Sequence, residues 1–141
     1  MCATSLGAGA LGLPAQLRGR QIANIGSEDI GPDVWRALHD AATAAAQDPA
    51  IDGIIITHGT DTMVDTAKVL AADISLANKV IVLVGAMVPF SVSGSDALFN
   101  LGSAIMALEL ASPGVYIAMH GRLFGYAEVI KNRQAGQFQY C

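Results

Sequence analysis

Charge is scarce in this chain: Asp, Glu, Lys and Arg together make up only 14% of its 141 residues, where roughly a quarter is usual for a soluble domain. What charge there is sums to −4, which offers nucleic acid or an anionic membrane surface no cationic face to bind; neither is an expected partner. Cysteine occurs only at the two ends, as Cys2 and Cys141; two terminal thiols make neither a disulfide framework nor a metal-ligand spacing. His39, His58 and His120 stand far apart in the chain, without a second ligand at helical or turn spacing, so no metal is expected and each reads as a surface or locally bonded histidine. The longest apolar stretch, Val80–Phe90, is too short to cross a bilayer. No basic segment opens the chain, and its first apolar run is broken by Gly9, Gly12 and Pro14. No signal peptide is therefore predicted. The cytoplasm is the expected compartment, with the periplasm as the alternative if the true N-terminus lies upstream of Met1.

Hydrophobic residues, at 52%, are abundant. A chain of this length forms one domain with a real core, and its low charge implies additional surface buried against a partner. The organising stretch is Gly53–Thr66, G-I-I-I-T-H-G-T-D-T-M-V-D-T. Its three isoleucines read as a buried parallel strand. Gly59 then permits a sharp turn, and Thr60, Asp61 and Thr62 are candidate caps for a helix over Asp61–Leu76. Two hydroxyls and a carboxylate thus stand at the carboxyl end of a strand and the positive end of a helix, where open α/β sheets bind ligands.

Residues 1–19 are read as a poorly defined lead-in and residues 20–141 as one domain. The lead-in contains Gly7-Ala8-Gly9-Ala10-Leu11-Gly12, formally a dinucleotide fingerprint, but too little chain precedes it for a strand and Pro14 obstructs the helix that should follow. Gln21–Ile25 is predicted as a short strand and Gly26–Gly31 as a polar loop. Pro32 opens a helix over Asp33–Gln47 with an apolar stripe of Val34, Leu38, Ala41, Ala42 and Ala45. The second helix presents Met63, Ala67, Leu70 and Ile74 to the core. Val80–Val84 and Val115–Met119 are continuous apolar strands. Asp96 caps a third helix, Ala97–Ala111, and Ala127–Lys131 is a further short strand. The Gly85–Ser95 loop is long enough to be functional. Alternating strands and helices, with strands apolar throughout, define an α/β/α sandwich with a mainly parallel sheet.

A hydroxyl nucleophile needs a base, and a lysine withdrawn from water can serve as one. Thr60 and Asp61 supply a hydroxyl and an acid; on composition alone Lys68, Lys79 and Lys131 are equal candidates for the base.

T-H-G-T-D-T-M closely resembles a signature of the bacterial-type asparaginase/glutaminase family. Ile22–Asp29, Val84–Pro89 and Ser95–Leu101 resemble three further blocks of that family, in family order, and the resemblance runs from about Arg20 to about Phe138. It implies the three-layer α/β/α fold of the family's amino-terminal domain. It also implies hydrolysis of the side-chain amide of L-asparagine, or of L-glutamine, to the acid and ammonia without a cofactor. Lys131 falls at the offset of the family's catalytic lysine, so the resemblance implies Thr60, Lys131 and Asp61 as hydroxyl, base and orienting acid. It further implies that Ser27 binds the substrate α-carboxylate, that Glu28 and Asp61 hold its α-ammonium, that Gly59 and Ala86 line the amide pocket, and that the protein is a homo-oligomer, a homotetramer in the family. The family's opening T-G-G-T-I, whose first threonine is its primary nucleophile, and the lid tyrosine after it have no counterpart in these 141 residues. Val88 replaces an arginine and Ala97 a glycine. The chain therefore reads as the interior of the amino-terminal domain, without its opening strand or the second, smaller domain. The alternative functions are a non-catalytic α/β domain retaining the fold and weak amino-acid binding, and a nucleotide-binding domain through Gly7–Gly12.

Overall fold

The computed structural model describes residues 16–73, 76 and 78–141; the Gly7–Gly12 string, Cys2 and Ile74 lie outside the described residues. Val80–Val84 (β2) is apolar and buried at every position, because it is flanked by strands on both edges and by helices on both faces. Gly53–Thr57 (β1) and Gly114–Met119 (β3) pair with it in parallel, with Gly53 and Gly114 both opposite Val80 and Thr57 and Ala118 both opposite Val84. Arg122–Gly125 (β4) pairs antiparallel with β3, giving the order β1-β2-β3-β4. The two-residue β3–β4 turn consists of His120 and Gly121, at φ 57° and 70°, the left-handed pair that suits the twist of a tight hairpin.

Side-chain alternation divides the core in two. On one face Ile81 and Leu83 meet Leu38, Ala42 and Ala46 of α1 (Pro32–Gln47) and Met63, Ala67 and Leu70 of α2 (Met63–Ala71). On the other, Val80, Val82 and Val84 meet Ala104 and Ala107 of α3 (Ala97–Leu110). Small alanines at these helix positions let the backbones come close to the sheet. A separate antiparallel hairpin, Val129–Asn132 (β5) with Gln137–Tyr140 (β6), completes the described chain. Val129 and Phe138 anchor it in the α1/α2-side core, and the Tyr140 ring lies 4.8 Å from that of Phe124, centroid to centroid.

The predicted sandwich is therefore present, with several local differences. Gln21–Ile25 is not a strand, and Gln21, Asn24 and Ile25 are exposed. The second helix begins at Met63 rather than Asp61 and ends at Ala71 rather than Leu76. Its expected caps are engaged elsewhere: Asp61 faces Lys131, and the Thr62 hydroxyl donates to the Ser27 carbonyl. Asp96 occupies the N-cap position of α3 without a capping bond, because its carboxylate turns back to accept from the Met87 and Val88 N–H groups. The last predicted strand is displaced to Val129–Asn132. β4 and β6 are not expected from the sequence, since R-L-F-G and Q-F-Q-Y are too short to show a period.

Leu83 is fully buried at the centre of the sheet, and Leu83→Ala is expected to cost about 2–5 kcal/mol, read from the shift of a urea unfolding midpoint at unchanged slope.

Candidate active site

The parallel register brings the carboxyl ends of β1 and β2 level, and the pairing continues one residue further, with the His58 N–H donating to the Val84 carbonyl at 2.8 Å. Two glycines then allow the chain segments to touch. A Cβ at Gly59 would lie 2.6 Å from Ser27 Oγ, and one at Gly85 would lie 2.4 Å from the His58 carbonyl oxygen; only glycine permits either approach. Ser27, in the 3-10 turn Ser27–Asp29 and 6% exposed, is thereby fixed against the strand end. Its hydroxyl accepts from the Asp61 N–H at 3.2 Å, and its carbonyl accepts from the Thr62 hydroxyl at 2.6 Å.

The hairpin delivers Lys131. Lys131 Nζ is 2.9 Å from Thr60 Oγ1 and 2.7 Å from Asp61 Oδ1, although these residues are 71 and 70 positions away in the chain. The Lys131 side chain is 12% exposed. Arg133, in the turn just after β5, donates from Nη1 to the same Asp61 oxygen at 3.2 Å and from Nη2 to the Asp61 carbonyl at 3.3 Å. The Lys131 hydrogen bond, with the nearby Arg133 charge, holds the Asp61 carboxyl below its ordinary value of 3.8.

Behind Gly59 lies a buried polar relay. Trp35 Nε1 donates to Thr66 Oγ1 at 2.9 Å, and Thr66 Oγ1 is 2.9 Å from His58 Nε2. His58 Nδ1 is 2.6 Å from the Gly59 carbonyl, which can only accept, so Nδ1 carries the proton. Burial pushes the His58 pKa down, against the opposing pull of that carbonyl. The imidazole is thus neutral at neutral pH, with Nε2 accepting from the Thr66 hydroxyl.

Asp96 secures the third segment. Burial alone would raise its pKa, but the Val88 and Met87 N–H groups and the Asn100 amide together lower it. The Asn100 amide also donates to the Gly85 carbonyl at 3.0 Å, so the loop after β2 is tied to the first turn of α3.

Ser27, Gly59, Thr60, Asp61 and Lys131 are thus one cluster. Ala86 follows Gly85, whose Cβ position would be 3.4 Å from Thr60 Cγ2, and so adjoins it. Glu28 stands apart: it is exposed, with its carboxylate folded against Gly26, and Asp61 is bonded instead to Lys131 and Arg133. Sequence reasoning missed Arg133 and the Trp35–Thr66–His58 relay. Neither had a signal: Arg133 lies in the turn after β5, and the members of the relay lie on three different elements.

A strand-end hydroxyl, a lysine and a carboxylate thus lie within hydrogen-bond reach of one another in a doubly covered α/β sheet. The family described as "Asparaginase, N-terminal" matches residues 7–138, and the chain belongs to that family. It is 38% identical over 120 residues to a Haemophilus influenzae protein named "Probable L-asparaginase periplasmic", covering 83% of this chain and 34% of the relative. It is 40% identical over 109 residues to a Methanococcus vannielii protein named as part of a glutamyl-tRNA(Gln) amidotransferase, covering 77% of this chain and 25% of the relative. The crystal structure of a probable cytoplasmic L-asparaginase from Campylobacter jejuni superposes with a TM-score of 0.75 at 34% identity, over 86% of this chain and 38% of that one. The chain thus spans about a third or less of the curated relatives' length. Those names refer to both periplasm and cytoplasm; among the described residues no helix is long and apolar enough to cross a membrane.

A carboxyl with a depressed pKa adds stability above its ordinary range and loses it as pH falls through the lowered value. In a carbon-detected NMR titration, Asp61 is expected to titrate below 3.8 in the native chain. Lys131→Met should move it back toward that value, and an unmoved midpoint would contradict the ion pair.

Proposed function

We propose that this chain carries an amide-hydrolysing centre acting on the side-chain amide of L-asparagine, with L-glutamine as the alternative substrate, to give the acid and ammonia. The observation that carries the reading is the Lys131 ammonium nitrogen within 2.9 Å of Thr60 Oγ1 and 2.7 Å of Asp61 Oδ1. As the neutral amine, Lys131 takes the Thr60 hydroxyl proton as Oγ1 attacks the amide carbon. The same proton passes to the departing nitrogen, and ammonia leaves. Water then attacks the Thr60 ester with Lys131 again as base, releasing the carboxylic acid and restoring the hydroxyl. Asp61 orients Lys131 and stabilises it when protonated.

In this reading Ser27 binds the substrate α-carboxylate, Asp61 with Glu28 receives the α-ammonium, and backbone groups of Gly59 and Ala86 line the amide pocket. Glu28 must swing away from Gly26 to take part. The relatives named as amidotransferases support amide chemistry in general. The net charge of −4 gives no support to a tRNA partner here. A second reading, a binding domain without turnover, is favoured by one observation: these 141 residues contain no T-G-G-T-I string. The reading includes a homo-oligomer, supported by the exposed large apolar side chains Leu98, Phe99, Met106 and Leu110 of α3, which a partner surface would cover. Light scattering should give a mass above that of one chain, and a monodisperse monomer would overturn the assembly.

Ammonia release from L-asparagine and L-glutamine by the full chain is the direct test. Thr60→Ala and Lys131→Met are each expected to lower kcat by about 10²–10⁴-fold. Full activity in Thr60→Ala would remove Thr60 from the mechanism, and a folded wild-type chain that releases nothing would leave the binding-domain reading.

A further inference from the structure

Asp61 is asked to do two things at once. In the proposed reaction it receives the substrate α-ammonium, yet its Oδ1 already has Lys131 Nζ at 2.7 Å and Arg133 Nη1 at 3.2 Å. Arg133 is tied to the same residue a second time, through Nη2 and the Asp61 carbonyl. The two cations are not equivalent. Lys131 is largely enclosed and also contacts Thr60, whereas the Arg133 side chain is 69% exposed and bonds Asp61 from the solvent side. It lies one residue beyond the end of β5, in the turn that leads to β6. An arriving ammonium can displace Arg133 without touching Lys131.

We propose that Arg133 occupies, in the empty site, the place on Asp61 that the substrate α-ammonium takes, and so acts as an internal competitor that sets how strongly the site prefers ligands with a free α-amino group. This rests on the amino-acid site proposed above. The exchange replaces one cation on the Asp61 carboxylate by another. The freed guanidinium is left beside the bound ligand, where its fork can approach a carboxylate. A ligand with the same two carboxylates but no amino group has nothing with which to displace Arg133.

The test uses L-aspartate and succinate, which differ by the α-amino group, titrated calorimetrically into the full wild-type chain and into Arg133→Gln. Loss of one positive charge weakens succinate, with two negative charges, more than aspartate, with one net negative charge, through the general field, so the ratio of their dissociation constants is read at about 1 M salt, where that long-range field is screened. With the competitor present, aspartate can displace it and succinate cannot. Removal of the competitor frees Asp61 for the aspartate ammonium and should raise the succinate-to-aspartate Kd ratio about two- to fivefold, the range for one exposed ion pair. Arg133 is exposed, so the variant should fold, which its unfolding midpoint checks. A ratio that stays the same or falls overturns the competitor role while leaving the amino-acid site intact. Failure of the wild-type chain to bind either ligand overturns the amino-acid site and the competitor with it. Ammonia release measured on the same wild-type sample reports the proposed reaction separately.

Discussion

The in-register parallel pairing of β1 with β2 is the constraint on which the site depends. Because Thr57 lies opposite Val84 and the His58 N–H still reaches the Val84 carbonyl, the two strands release their loops at the same level. Gly59–Thr62 and Gly85–Val88 then emerge side by side, and the absence of side chains at Gly59 and Gly85 lets Ser27 and Thr60 close against them. A slip of one residue would reverse every side chain of β1 between the two cores and carry the T-H-G-T-D-T turn away from its partners. The hydrophobic pattern that makes the sheet therefore also sets the site's geometry.

Charge in the site is concentrated on one carboxylate. Two basic side chains, Lys131 and Arg133, bond to Asp61, and His58 adds no third charge. Burial suppresses its protonation, so the relay from Trp35 through Thr66 can hold the Gly59 carbonyl without adding a third positive charge near the turn. In a chain where charged residues are only 14%, placing three of them within bonding distance of one another points to a requirement of the site rather than of the fold.

The sheet was legible in the sequence because buried parallel strands are apolar without interruption: G-I-I-I-T, V-I-V-L-V and V-Y-I-A-M could hardly be read otherwise. The helix faces were legible for a similar reason, as Leu38, Ala42, Met63, Ala67 and Leu70 recur at helical spacing. The caps were not. Thr62, Asp61 and Asp96 have the residue types that favour N-caps, but each has a stronger partner from a distant segment, and local propensity carries no information about such partners. Lys131 shows the same limit from the other side. By composition it was indistinguishable from Lys68 and Lys79; its selection came from the family resemblance, and the structure then shows it, not the other two, against Thr60. Glu28 reverses the case: the resemblance nominates it, while its carboxylate rests on Gly26.

Lys131 and Thr60 lie on different elements. Thr60 and Asp61 follow directly from the main sheet, whereas Lys131 and Arg133 belong to a hairpin that shares no strand pairing with it. The hairpin is seated by Val129 and Phe138 in the core and by the Tyr140–Phe124 ring contact; at its other face the polar link runs through Asp61. A carboxylate bonded to both Lys131 and Arg133 therefore closes the structure as well as orienting the lysine. The separation between Lys131 Nζ and Thr60 Oγ1 therefore depends on how the hairpin sits on Asp61.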